Sequence, residues 1–199
     1  MIKRSIIIVC LLPLMSLLIN ALLDRLGANP PEAVIRHTGL WGLRFLLLTL
    51  SVTPIRLLTN WHSLNKQFDL RRILGLSAFF YSCLHVLAYA GFEQSFDGIA
   101  MMVDIIQRPA LGIGFLAFIA LIPLAVTSKK ILIKWLGKQR WKQLHWLTYP
   151  ITIAGVLHFW WLAQAKADIL EPLIYALILA LLLLLRYPPV ITRLTPPKK

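Results

Sequence analysis

Six stretches of this chain are apolar for long enough to cross a bilayer, and no other feature constrains its fold as tightly. A spanning helix needs about 20 predominantly apolar residues. The runs cover residues 5–23, 39–58, 73–92, 109–127, 144–163 and 172–187. Between them lie a Gly/Pro turn at 24–31, polar segments at 60–69, 93–98 and 164–171, and a strongly basic segment at 128–142. Backbone in lipid must satisfy its own hydrogen bonds, so such runs read as helices. The alternation that a β-barrel needs is missing. The expected fold is all-α: an integral membrane protein of six transmembrane helices.

Composition then excludes other classes. Of 199 residues, 58% are hydrophobic and only 15% charged, yet the formal net charge is +13. A disordered basic tail would lack the apolar residues. A soluble nucleic-acid binder would have nowhere to hide them, so no nucleic-acid partner is expected and membrane lipid is. Sorting the charges by connection explains their sign. The N-terminus and the second, fourth and last connections hold sixteen Lys and Arg against one acid, Asp69. The other three connections hold four cations against seven acids, and Arg44 lies within the second run. By the positive-inside rule both termini are cytoplasmic. The first run is long and no A-x-A site follows it, so it reads as a retained anchor, not a signal peptide. Cys10 and Cys83 both fall inside spans, and no metal or redox CxxC motif is present. Gly112-Ile-Gly114 lies within a span, which excludes a dinucleotide fingerprint. The tail from Pro188 is Pro-rich and basic and reads as poorly ordered.

The histidines carry the chemistry. His37 and His62 lie at connections and read as solvated or interfacial, with His37, beside Arg36, also placed to meet an anionic group. His85 and His158 lie deep in the third and fifth runs, which point the same way across the membrane. His85 is 13 residues past Arg72, and His158 is 13 past His145. At 1.5 Å per residue both stand about 20 Å from the inner edge. Two neutral imidazoles at one height can ligate a haem iron from opposite sides. The plainer reading is a pair of interhelical hydrogen bonds. Ala78, Tyr81, Ala88 and Tyr89 around His85, and Ala154 and Gly155 before His158, suit the approach of a flat ring. His145 stands at the inner end, level with Arg71 or Arg72. On a straight helix it would lie about 140° round from His158, and Pro150 between them is a kink site. The inner position suits a haem with one protein ligand, or a flavin or quinone whose phosphate or carbonyl meets Arg71 and Arg72. Those two arginines also read as plain positive-inside anchors. Arg44, near the outer histidine level, either pairs with a haem propionate or snorkels to the interface.

Three blocks of residues resemble a known family. They are Arg71-Arg-Ile-Leu-Gly-Leu-Ser through His85-Val-Leu-Ala-Tyr89; Trp141-Lys-Gln-Leu-His145-Trp-Leu-Thr-Tyr149 with Leu157-His158-Phe-Trp-Trp161; and Thr38-Gly39 with Leu43-Arg44-Phe and Thr53-Pro54-Ile-Arg56. Over about residues 24–187 the chain resembles the MsrQ (YedZ) family. These are haem-binding membrane subunits of bacterial periplasmic methionine sulfoxide reductase systems, grouped with ferric-reductase and NADPH-oxidase-like transmembrane domains. The resemblance implies a haem-binding helical bundle in the bacterial inner membrane. It implies haem b, with the presence of a second haem open, and FMN. It implies a chain that passes electrons from the quinone pool or a cytosolic flavin reductase to MsrP, a periplasmic molybdopterin enzyme on which methionine sulfoxide is reduced. Carried over by position, His85 and His158 are the haem ligands, His145 is a further haem-associated histidine, and Arg71 and Arg72 are the basic pair on the flavin or donor side. Full oxidase relatives have four haem histidines and a cytosolic flavin/nicotinamide domain. This chain has three and lacks that domain, so it is not expected to oxidise a nicotinamide by itself. The domain reading is an N-terminal helix and periplasmic loop at 1–38, a four-helix haem-binding core at 39–163, and a sixth helix with a basic cytoplasmic tail at 164–199. The alternatives are a quinol-linked cytochrome b or ferric reductase serving another periplasmic acceptor, and a histidine-relay transporter. The last would favour mid-membrane carboxylates, and none of the acids lies there.

Overall fold

Helix is the only regular structure among the described residues of the computed structural model, which are 2–59, 64–165 and 167–187. In chain order the helices are α1 (Ile2–Leu22), α2 (Pro30–Thr59), α3 (Leu64–Phe92), α4 (Gly98–Gln107), α5 (Pro109–Val126), α6 (Lys130–Leu136), α7 (Lys138–His145), α8 (Thr148–Gln164) and α9 (Leu170–Leu184). His62, Lys166 and the tail from Pro188 lie outside the described residues. Four helices are long and apolar enough to cross a membrane: α1, α2, α3 and α5. The other two expected spans are shorter than their apolar runs, with 17 residues in α8 and 15 in α9.

Local chemistry explains each departure from the expected boundaries. α2 starts at Pro30, well before the run at 39, because Asn29 and Glu32 cap it. Asn29 Oδ1 accepts from the Glu32 amide at 3.3 Å, and the Asn29 side-chain amide donates to the Glu32 carboxylate at 3.1 Å. Pro30 and Pro31 need no amide partner in a first turn. α8 starts at Thr148, not 144, because of Pro150. A helix running through would pair the Pro150 nitrogen with the Trp146 carbonyl, and proline has no N–H to give. The Tyr149 amide takes that carbonyl at 3.1 Å, and three-residue turns at Trp146 and Leu147 separate α7 from α8. His145 therefore ends α7 instead of opening the fifth span. The basic segment at 128–142 holds α6 and α7, hinged at Gly137 with φ +78°. α4 was not expected at all. Asp97 caps it by accepting from the Ile99 and Ala100 amides at 2.9 and 3.0 Å.

The helices pack as two pairs, α2 along α3 and α5 along α8, joined by α3–α5 and α2–α8 contacts. α2 is the shared wall. Its Phe45, Leu46 and Val52 enter one buried cluster with Tyr81, Leu121 and Ile151, and its Leu40, Leu43, Leu47 and Leu50 enter another with Val156, Tyr175 and Leu179. The bundle has an upper end, where α2 begins and α3 finishes, and a lower end, where α3 begins.

α1 is held by polar contacts at a break in its own ladder. Pro13 removes one amide inside the helix. There the buried Tyr81 hydroxyl accepts from the Leu14 amide at 2.9 Å and donates to the Cys10 carbonyl at 3.0 Å. Those are the two groups that an unbroken helix would pair with each other. His37, read as interfacial, instead sets Nε2 3.0 Å from the Pro13 carbonyl. Tyr81, read as flanking a flat ring beside His85, has its hydroxyl committed to α1.

Candidate functional site

His85 on α3 and His158 on α8 face each other across the two helix pairs. Their ring centroids are 6.1 Å apart and the ring planes meet at 80°. Each ring is held by the other helix of its own pair. His85 Nδ1 lies 2.9 Å from the Ile35 carbonyl of α2, and His158 Nδ1 lies 2.7 Å from the Ala110 carbonyl of α5. A carbonyl can only accept, so Nδ1 carries the proton of each neutral ring and Nε2 keeps the lone pair. Metal-ligating histidines are oriented by this same bond.

A glycine makes room for each bond. Gly39 follows Ile35 by four residues, and Gly114 follows Ala110 by four. In a helix, positions four apart stack on one face, so a side chain at the second shields the carbonyl of the first. A Cβ built on Gly39 would stand 2.9 Å from His85 Nδ1, and one on Gly114 would stand 2.6 Å from His158 Nδ1. Gly39 belongs to a motif block singled out in the sequence. In the sequence Gly114 figures only in the excluded Gly112-Ile-Gly114 fingerprint. The available signal was an unneeded glycine in the middle of an apolar helix, where it costs about 1 kcal/mol relative to alanine.

His145, Arg71 and Arg72 come together at the lower end, apart from the histidine pair. They line a cavity of about 280 Å³ between α2, α3, α5, α7 and α8. The His145 ring lies against Trp141, with centroids 4.1 Å apart, and its Nδ1 is 3.0 Å from the Trp141 carbonyl. Arg71 donates through Nη2 to Thr53 Oγ1 at 2.7 Å. The Nε atoms of Arg71 and Arg72 are buried and have no hydrogen-bond partner among the described residues. Lys142 and Arg186 also line this cavity, and among the described residues no carboxylate does. The nearby Asp69 is paired with Lys3 at 2.7 Å. Arg186 and Lys142 are cationic lining residues that sequence reasoning missed, since position along the chain marks both only as topological charges.

At the upper end Arg44 faces α9. Its Nε donates to the Tyr175 hydroxyl at 2.7 Å, its Nη2 is 3.7 Å from the Glu171 carboxylate, and its guanidinium lies 4.8 Å from the centre of the Trp41 ring. Arg36 pairs with Glu171 as well and reaches Asp168 at 3.5 Å. One turn beyond His85, the Tyr89 hydroxyl donates to Asp104 of α4 at 2.6 Å. Gln94 donates to the same carboxylate at 3.0 Å and Arg108 Nε at 2.8 Å, which ties α4 to the end of α3.

Residues 38–156 match the family described as "Ferric reductase like transmembrane component". That segment includes His85 and His145 and stops two residues short of His158. No solved structure gives a significant match. Among curated proteins, the chain is 46% identical over 186 residues to the protein-methionine-sulfoxide reductase heme-binding subunit MsrQ of Herminiimonas arsenicoxydans, covering 94% of this chain and 84% of the relative. It is 46% identical over 193 residues to the protein of the same name from Rhodospirillum rubrum, covering 96% and 89%. The like-named protein of Azospira oryzae is 46% identical over 182 residues, or 92% and 76%. With identity at this level along almost its whole length, and a ferric reductase-like core within it, the chain belongs to the MsrQ family.

Proposed function

We propose that this chain is a b-type cytochrome subunit that carries electrons across the bacterial inner membrane, from a quinol or cytosolic flavin-reductase donor, to the periplasmic molybdopterin enzyme MsrP. On MsrP, oxidised methionines of periplasmic proteins are reduced. His85 and His158 hold the iron of a haem b, which supplies a one-electron couple. The lower cavity, with His145, Arg71 and Arg72, takes a second group, FMN or another haem. The chain crosses the membrane six times, through α1, α2, α3, α5, α8 and α9, with both termini in the cytoplasm and the lower cavity on the cytoplasmic side.

The spacing of the histidine rings carries the reading. Two metal–imidazole bonds of about 2 Å each, with roughly 1 Å from each nitrogen to its ring centre, add to about 6 Å. The rings stand 6.1 Å apart, and each has its Nδ1 on a carbonyl. The orientation is supported by sixteen cations against one acid in the connections at one end of the spans. α8, at 17 residues, is about 26 Å long, close to the hydrocarbon thickness, and local thinning accommodates the shorter α9.

The test is an oxidised and a reduced optical spectrum of the full chain in detergent. A low-spin haem b spectrum is expected, and His85→Ala and His158→Ala should each remove the bis-histidine component of it. If both variants keep it unchanged, the ligand assignment is wrong. Deleting the reductase in the bacterium should stop methionine repair that depends on this chain; repair that continues points to a different acceptor.

A further inference from the structure

We infer that Arg186 belongs to a binding site. With Arg71 and Arg72 it forms a carboxylate-free cluster of guanidiniums in the lower cavity that takes an anionic oxygen group of a bound cofactor, either a phosphate monoester or a pair of carboxylates. This rests on the reading of the chain as a cofactor-bearing subunit, and it assigns the anion site to a residue thirty positions beyond the ferric reductase-like segment, which ends at 156.

A topological charge would extend toward water or headgroups. Arg186 instead turns into the bundle. Its Nε and Nη2 donate to the Leu50 carbonyl at 3.0 and 2.6 Å, its Nη2 to Thr53 Oγ1 at 2.8 Å, and its Nη1 to the Tyr149 hydroxyl at 2.7 Å. The Leu50 carbonyl is open because its helical partner would be the nitrogen of Pro54, which has no N–H. Arg186 is thus fixed in place before any ligand arrives.

That position brings like charges together. Thr53 Oγ1 accepts from Arg71 Nη2 at 2.7 Å and from Arg186 Nη2 at 2.8 Å, so two guanidiniums share one oxygen. Such a pair repels, and among the described residues no carboxylate lines the cavity to offset it. The buried, unpartnered Nε atoms of Arg71 and Arg72 are two further donors without acceptors. One multiply charged oxyanion answers both deficits: it neutralises the cluster and accepts from the idle N–H groups. Tyr149, which accepts from Arg186, keeps its own proton to donate.

The experiment compares charged and neutral forms of each candidate on the full chain already carrying haem at the His85–His158 pair. FMN is titrated against riboflavin, and haem b against its dimethyl ester. In the native chain one charged form should bind at least tenfold more tightly than its neutral counterpart, and which one does so identifies the source of the anion. Arg186→Gln should remove that preference while leaving the neutral form's affinity unchanged. Arg186→Lys should restore part of it, and Tyr149→Phe, which keeps the charge, should retain most of it. A native chain that does not prefer either charged form, or an Arg186→Gln variant that keeps the preference or weakens both forms equally, overturns the inference and limits Arg186 to capping Leu50. A native chain purified without any haem spectrum overturns the cytochrome reading itself.

Discussion

Gly114 leaves the His158 ring a space that no larger residue at that position would: a single carbon added to Gly114 would stand 2.6 Å from the His158 ring nitrogen. Gly114→Ala should therefore push the imidazole off the Ala110 carbonyl and reduce bound haem several-fold. Gly98→Ala is the control, since a carbon added at this first residue of α4 meets nothing within 4 Å among the described residues. The haem-to-protein ratio after purification distinguishes them. Equal ratios in the two variants would show that the glycine is not the spacer it looks like.

Tyr81 and Pro13 should behave as one unit. Tyr81→Phe removes two hydrogen bonds to α1 and is expected to cost roughly 1 kcal/mol. In a Pro13→Ala background the cost should shrink, because a regular helix lets the Leu14 amide return to the Cys10 carbonyl. A double-mutant cycle on thermal unfolding in detergent measures the coupling, and strictly additive losses would contradict the insertion.

Arg44 is bonded toward α9. Arg44→Gln should leave the low-spin spectrum intact while lowering the melting temperature and raising hydrogen exchange in α9. A shift in the spectrum with α9 still protected would instead favour contact with a propionate.

Asp104 gathers three donors from three places: Tyr89, Gln94 and Arg108. Asp104→Asn keeps the shape and loses the charge, at a local cost of about 1.5–3 kcal/mol. Exchange protection of α4 should fall while that of α1 stays constant.

The deep histidines were legible because depth follows from counting residues at a fixed rise, and the count put His85 and His158 level. Their placement at one height agrees with rings 6.1 Å apart. The count did not yield the partner of each Nδ1, since a backbone carbonyl leaves no mark in composition. α4 escaped because a span-length window passes over ten residues. At helical spacing, Ile99, Met102, Val103 and Ile106 form an apolar stripe, which the fold leaves largely uncovered, with Ile99 80% and Ile106 77% exposed. The break before α8 was half legible: Pro150 was read as a kink between His145 and His158, yet the missing amide acts four residues earlier, so the helix starts anew after His145. Arg186 was read as a topological charge because sequence position cannot tell a cation facing headgroups from one turned inward. The clue lay 132 residues upstream, in a proline that opens the Leu50 carbonyl.

The order in which these parts leave the ribosome differs from the order in which they sit in space. The paired histidines and both glycine spacers are all present once α8 has been made. The lower cavity lacks one of its lining cations until Arg186 emerges, after α9, and reaches back to Leu50 in α2. One site can thus be assembled on a nascent chain, while the other waits for the residues that follow α9.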